Sequence, residues 1–301
     1  MMPTRRVFVS ASSNRNLDAR RAALKAAILQ KVSAAGFEPQ EFWESGMAEN
    51  MAWSFENVNV VMKKCVGAIV IGFPRWQVSG AMPGAMPSSG LVGEYNHYEG
   101  AVAMSRNLPT FLLAENGVEN RGIVWTGGGK PITFIPEIAD ASWVETNDFQ
   151  KAFKAWVRDV NARKDIFLGY CSQNIGTAAL IENRLTREGA TVHNYMMDFR
   201  SGTSILNEIE SAASCCSAGI FLFAENDPLE GMPGEAAPRD NVVFEAGYFM
   251  NSKGPERCLI IREGKAKMPA DLGGAIYLHL NGPGDIASIE SRLTRFLKEN
   301  L

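Results

Sequence analysis

Apolar positions along the 301-residue chain fall into short runs alternating with stretches where they recur every three or four residues, so strands alternate with helices. Residues 6–10 predict a buried strand. Leu24, Ile28 and Val32 mark the next helix, begun near Leu17 and stopped by Gly36. A second short strand is predicted over 37–42, a helix with Phe55, Val58, Met62 and Cys65 inward, and a buried strand over 67–73. Residues 74–92, rich in Pro, Gly, Met and Ser, read as a long loop over the strand ends. A helix over 94–104, a strand over 108–113, an irregular glycine-rich stretch over 115–130 and an amphipathic helix over 148–161 complete this half.

After a short linker at 161–164 the alternation starts again. Strands are predicted over 165–170, 192–195, 218–224, 258–261 and 275–280. Helices are predicted ending at Gly189, through Ile205, Ile209 and Ala212, over 240–250 and over 286–297. The pattern predicts an α/β protein of two flavodoxin-like domains, 1–162 and 163–301, each a mainly parallel sheet with helices on both faces. The two halves read as a divergent duplication. The run at 67–71 corresponds to 218–222, and 94–101 to 240–247, which sets Glu99 opposite Glu245.

Composition narrows the function classes. With 46% hydrophobic and 21% charged residues the chain is ordinary globular material. A net charge of -3 and a pI near 5.8 give no footprint for nucleic acid or an anionic membrane, so neither partner is expected. No apolar run approaches the roughly 20 residues that cross a bilayer. The opening Met-Met-Pro-Thr-Arg-Arg leads only into a strand-like run, so no signal peptide is expected. Five cysteines without a CxxC pair fit buried, reduced thiols in a cytoplasmic protein. Three scattered histidines predict no metal site, with His193 and His279 structural and His97 beside Glu99. The stretch 126–131 lacks the first glycine of a phosphate loop and puts Pro131 where Ser or Thr belongs.

Glu245 is the residue that demands a reason. It sits among Val242, Val243, Phe244, Phe249 and Met250, in a helix pattern with most of its surface covered and Asp240 as its N-cap. An unpaired buried carboxylate costs several kcal/mol. Either it binds a ligand or it is held in a structural ion pair, for which Arg239 and Arg257 are the nearby cations. Asn241, four residues earlier, shares its face near the helix N-terminus, where anionic ligands are favoured; it either contacts substrate or extends the cap. In a doubly wound sheet ligands lie beyond the strand C-termini. Tyr170, Cys171, Ser172 and Gln173 after one strand, and Glu225, Asn226 and Asp227 after another, are therefore expected to rim the same pocket, with types suited to ribose and phosphate. Tyr170 is expected to stack on a base or nicotinamide ring.

The run Arg239-Asp240-Asn241-Val242-Val243-Phe244-Glu245-Ala246-Gly247-Tyr248-Phe249 follows the strand GIFLFAEND and precedes the strand RCLIIRE and the block MPADLGGAIYLHL. In that order these blocks resemble the bacterial TIR-like domains found as effectors in antiphage signalling, over roughly residues 164–301. The resemblance implies that Glu245 is the catalytic residue cleaving the nicotinamide-ribose bond of NAD. Arg239, Asp240, Asn241, Tyr170, Cys171, Ser172, Asn226 and Asp227 would then contact NAD as the substrate, with no cofactor expected. It further implies a homo-oligomer or filament and activation by an upstream signal, such as a nucleotide bound by the first domain. The first half resembles nucleoside deoxyribosyltransferase-like and TIR-like folds through Glu99-Gly100-Ala101-Val102-Ala103 and Asn107-Leu108-Pro109-Thr110-Phe111. There Ser12, Phe73, Arg75, Tyr95 and Glu99 form a candidate ligand site, with a sensing or assembly role weighed against a second active site and a scaffold. Two other functions stay open: a nucleotide sensor without turnover, and N-glycosidic transfer or hydrolysis on nucleosides through Glu99.

Overall fold

The computed structural model describes residues 5–42, 52–79, 88–194, 204–269 and 277–301. The chain divides into two compact units, one ending at Ala162 and the other running from Arg163 to Leu301.

In the first unit the alternation becomes β1 (Arg5–Ala11), α1 (Ala19–Ala34), β2 (Phe37–Glu41), α2 (Phe55–Met62), β3 (Cys65–Gly72), β4 (Pro74–Ser79), β5 (Ser88–Val92), α3 (Glu94–Ser105), β6 (Thr110–Glu115), β7 (Ile132–Ile135) and α4 (Asn147–Asn161). Five parallel strands stand in the order β2-β1-β3-β6-β7. Val7, Val9, Ile69, Ile71, Phe111 and Leu113 face Leu24, Ile28 and Val32 of α1 and Phe149, Phe153 and Trp156 of α4. Phe8 and Ala68 face the other way, onto Val58 and Met62 of α2 and Val102 and Ala103 of α3. Strand side chains alternate between faces, and helices cover both.

The second unit repeats the plan with β8 (Lys164–Gly169), α5 (Ile175–Arg187), β9 (Val192–Asn194), α6 (Ile205–Cys215), β10 (Cys216–Phe223), β11 (Asp227–Pro228), β12 (Ala236–Ala237), α7 (Asp240–Lys253), β13 (Cys258–Glu263), β14 (Tyr277–Leu280) and α8 (Glu290–Asn300). Its five parallel strands, read as β9-β8-β10-β13-β14, have the topology of the first sheet. Ile166, Leu168, Ile220 and Ile261 pack on α5 and α8, while Phe167, Phe221 and Ile260 pack on α6 and α7. Both units are therefore α/β, each a parallel sheet clad on both faces.

Several expectations change. Pro74–Ser79 and Ser88–Val92 are not loop: they pair antiparallel as β4 and β5, a ribbon that high Pro, Gly and Ser content disguises. Cys65 opens β3 instead of closing α2, with its thiol donating to the Val61 carbonyl at 3.5 Å. Ile132–Ile135 adds a fifth strand too short to stand out as an apolar run. Tyr195 and residues 275–276, expected in strands, lie outside the described residues, as does much of the 268–280 block.

The fourth strand of each sheet ends in a buried glutamate that ties it to the first helix. Glu115 accepts from Arg21 Nε at 3.0 Å and Arg20 Nη2 at 3.1 Å. Glu263 accepts from Thr177 Oγ1 at 2.6 Å and Asn174 Nδ2 at 3.0 Å. Glu263→Ala leaves the buried Thr177 hydroxyl without its acceptor, and a loss of about 1–3 kcal/mol in urea denaturation is expected.

Candidate functional site

Helix α7 sends Val242, Glu245, Ala246, Phe249 and Lys253 to the sheet. It is one-faced, not covered on most sides: Phe244 is 54% exposed and Asn241 is exposed. The anchor is aromatic. Phe249 stacks on Phe167 at 4.7 Å between centroids and meets Phe221 edge-on at 5.4 Å, so the helix cannot roll without losing both contacts. One turn earlier on the same face, Glu245 comes down over the end of β8. A Cβ on Gly169, the last residue of that strand, would lie 2.7 Å from Glu245 Oε2 and 2.7 Å from Phe221 Cδ1. The missing side chain is what gives the carboxyl its seat.

The carboxyl is 2% exposed and Oε2 has no hydrogen-bond partner among the described residues. The ion-pair alternative is not realised. Arg239 pairs with Asp227 at 3.0 Å, and Arg257 Nη1 donates to the Ser217 carbonyl at 3.1 Å. Burial alone pushes Glu245 up to about 8, because nothing nearby stabilises its charge.

The rim is built from the loops after β8 and β10. Cys171 is buried beside the Arg239 guanidinium, which together with Asp227 holds that cation firmly protonated. Asn226 Nδ2 donates to Asn174 Oδ1 at 2.7 Å and to Gln173 Oε1 at 3.3 Å, joining the two loops, while its buried Oδ1 has no partner among the described residues. Ser172 opens an exposed 3-10 turn. The structure thus brings Cys171, Asn226, Asp227 and Arg239 around the N-terminus of α7.

Three placements correct the sequence reading. Tyr170 is a core residue, packed near Ala178 and Ile181, with its hydroxyl donating to Asn194 Oδ1 at 2.8 Å. Strand alternation puts it on the α5 side of the sheet, away from Gly169, so its ring is not offered for stacking. Asp240 is the first helical residue and not the N-cap; Arg239 holds that position in extended conformation, without a side-chain cap. Asn241 and Asp240 are exposed on the first turn, so Asn241 does not share the burial of Glu245.

The first unit holds a matching constellation. Glu99 is 5% exposed and is the sixth residue of α3, as Glu245 is of α7. Ser10, the sixth residue of β1, stands where Gly169, the sixth of β8, stands in the other sheet. Glu99 Oε1 accepts from Trp53 Nε1 at 3.1 Å and the Ser10 hydroxyl also bonds to it, yet burial outweighs both and pushes its carboxyl up to about 7. Of the other expected residues, Tyr95 lies 4.7 Å from the Trp53 ring, and Arg75 sits over Trp76 at 5.4 Å. Ser12 uses its carbonyl to accept from buried Lys25, and Phe73 is fully buried in the core, so its ring serves packing. Trp53 and Ser10 were not legible as site residues: Trp53 is remote in sequence, and Ser10 reads as an ordinary strand end. Comparing strand ends between the halves would have exposed Ser10 and Gly169. His97 Nδ1 accepts from the Ile123 amide at 3.0 Å, a structural role.

Among protein families, the one described as CAP12/Pycsar effector protein, TIR domain, matches residues 165–282. Those residues form a TIR domain of that kind. Its sequence is 34% identical over 114 residues to CD-NTase-associated protein 12 of Flavobacterium daejeonense, covering 36% of this chain and 35% of that protein. It is 47% identical over 56 residues to the protein of the same name in Sphingobacterium faecium, covering 18% and 17%. It is 28% identical over 135 residues to the Pycsar effector protein BcPycTIR of Burkholderia cepacia, covering 44% and 42%. The matched part of the chain thus spans less than half the length of these relatives. The TIR domain of the Toll-related receptor TRR-2 of Hydra magnipapillata superposes with a TM-score of 0.36 at 14% identity, over 45% of this chain and 98% of that one. In this TIR domain, as in the chain as a whole, no described helix is long and apolar enough to cross a membrane, and the described residues hold no cluster of metal-binding side chains.

Proposed function

We propose that the TIR domain cleaves the bond between nicotinamide and ribose in NAD, with Glu245 as the carboxyl that meets the reacting sugar. The observation that carries this reading is the lone acid itself: buried, without an ion pair among the described residues, and seated against Gly169 at the C-terminal edge of the parallel strands. As the bond breaks, its electron pair goes to the pyridinium nitrogen, nicotinamide leaves neutral, and positive charge develops on the ribose. A carboxylate in a low-dielectric seat stabilises that charge far more than the same group in water. Water then captures the ribosyl cation to give ADP-ribose, or an internal nucleophile closes a ring; both share this first step. Asn226 and Arg239 stand where ribose hydroxyls and phosphates would be met.

The relatives' names support the rest of the reading. One is a Pycsar effector and others are CD-NTase-associated, which fits an effector of antiphage defence switched on by a nucleotide signal. Half-exposed Phe244 on α7 and Leu206 on α6 supply apolar surface for a second copy. The five cysteines, none of them in a disulfide among the described residues, fit a reducing cytoplasm.

The test is nicotinamide release from NAD by the purified full chain, alone and with cyclic nucleotides. Silence under every trigger would overturn the proposal in favour of a nucleotide binder without turnover. A pH profile adds a signature. Since the free carboxyl is pushed up to about 8, kcat/KM is expected to rise with pH towards a plateau above that value. The bound pyridinium favours the ionised form, so the midpoint of the kcat profile is expected at lower pH.

A further inference from the structure

Cys215 and Cys216 lie at the far end of β10 from Glu245, at the joint where α6 passes directly into that strand, and take no part in the reaction assigned to Glu245. Neighbouring side chains diverge by about 100° on a helix and point to opposite faces of a strand, so adjacent cysteines within either element keep their sulfurs apart. Here the backbone turns from helical to extended at Cys216, with φ -96° and ψ 151°, and the two sulfurs converge to 3.8 Å. Buried cations stand around them. Arg163 Nη1 donates to the Ser214 carbonyl at 2.7 Å, and Lys253, the last residue of α7, is buried with its charge close enough to act on both thiols. The sulfurs differ in kind. Cys216 is fully buried, whereas Cys215 is partly open to solvent. The hydrogen bond from Cys216 and the charges of Arg163 and Lys253 pull the Cys215 thiol down to about 7, against burial and against its place at a helix C-terminus. Burial and the Cys215 sulfur beside it push the Cys216 thiol up, and burial pushes Cys258 up to about 12.

We propose that Cys215 and Cys216 form a redox-modification site that takes a peroxide as oxidant and closes to a vicinal disulfide. The Cys215 thiolate attacks one peroxide oxygen and the O–O bond breaks. Cys215 becomes a sulfenic acid, and the departing oxygen takes up a proton and leaves as water or an alcohol. The Cys216 sulfur then attacks the Cys215 sulfur: the S–S bond forms, the S–O bond breaks, and the Cys216 proton leaves with the hydroxyl as water. Two thiols thus give two electrons to the peroxide. Adjacent Cα atoms are about 3.8 Å apart, closer than the roughly 4.4 Å at which ordinary disulfides begin, so the ring is strained and readily reduced. A reducing compartment returns such a bond to thiols, which suits a transient mark and not a structural staple. Closure also takes away the thiolate charge that Lys253 feels at the foot of α7. The inference does not rest on the reading of Glu245 as an NAD-cleaving acid.

The experiment exposes the full, reduced wild-type chain to hydrogen peroxide at neutral pH, blocks remaining thiols with N-ethylmaleimide and maps the peptides by mass. The peptide holding Cys215 and Cys216 is expected to be two hydrogens lighter, with its maleimide labelling down about tenfold or more, and dithiothreitol is expected to restore both labels. In Cys216→Ser the second step is blocked, so Cys215 is expected to stop at the sulfenic acid and to be captured by dimedone. Phenylarsine oxide, which bridges two sulfurs without any oxidant, is expected to block both labels in the wild-type chain and to lose that protection in Cys216→Ser. The wild-type mapping needs no variant, so a folding defect in Cys216→Ser leaves the test intact. The proposal is overturned if the peroxide-treated peptide still takes two labels, if it carries sulfinic acid in place of the disulfide, or if either cysteine is found linked to another part of the chain.

Discussion

Glu245→Gln is expected to lower nicotinamide release by about 10²–10³-fold while making the folded protein more stable at alkaline pH. The two effects have one cause. In the native chain the carboxyl is held protonated up to about 8 by burial, and among the described residues its Oε2 finds no donor to stabilise the charge. In the unfolded chain it loses its proton near the ordinary carboxylate value of about 4.3. Between these values the native state binds more protons than the unfolded state, so stability falls as pH rises across that window and is level on either side. The expected cost at pH 8.5 is on the order of a few kcal/mol. Glutamine has nearly the shape of the protonated acid and does not ionise. Melting temperatures of the two proteins should therefore coincide near pH 5 and separate as pH rises, with the variant higher. Equal melting temperatures at pH 8.5 would show that the acid is solvated or paired after all.

Gly169→Ala is expected to cut nicotinamide release by about a hundredfold with Glu245 intact. The backbone at Gly169 has no positive φ that alanine would resist, so the effect is steric. The added methyl meets Glu245 Oε2 and the Phe221 ring, both at 2.7 Å. Phe221 is fixed between Phe167 and Phe249, so the carboxyl is the group that must give way. Displacing a reacting group by about 1 Å costs on the order of 10²-fold in rate. The loss is expected in kcat more than in KM, because the rest of the rim is untouched. A variant with full kcat and normal melting would show that the seat against Gly169 does not set the position of the acid.

How much of this was legible in sequence differs between elements. Alternating apolar runs reveal the two α/β units, because a strand buried on both faces must be apolar throughout, as residues 67–71 and 218–222 are. Glu245 stood out for the same reason, as an acid in an apolar helix. The ribbon of β4 and β5 was hidden because its side chains are half open and its composition is that of a loop. Tyr170 misled because it sits at a strand end, where either face is available. Only the register of β8 with β10, Gly169 beside Phe221, shows which side it takes.

By itself the sequence determined the order of elements, the internal duplication and the two glutamates at matching helix positions, because periodicity and residue type are local properties of the chain. Only the tertiary structure decided that Glu245 has no ion-pair partner among the described residues, that Gly169 makes room for it, and that Trp53 and Ser10 close over Glu99. Those depend on which residues far apart in sequence share one sheet face, and no spacing along the chain encodes the distance between them in space.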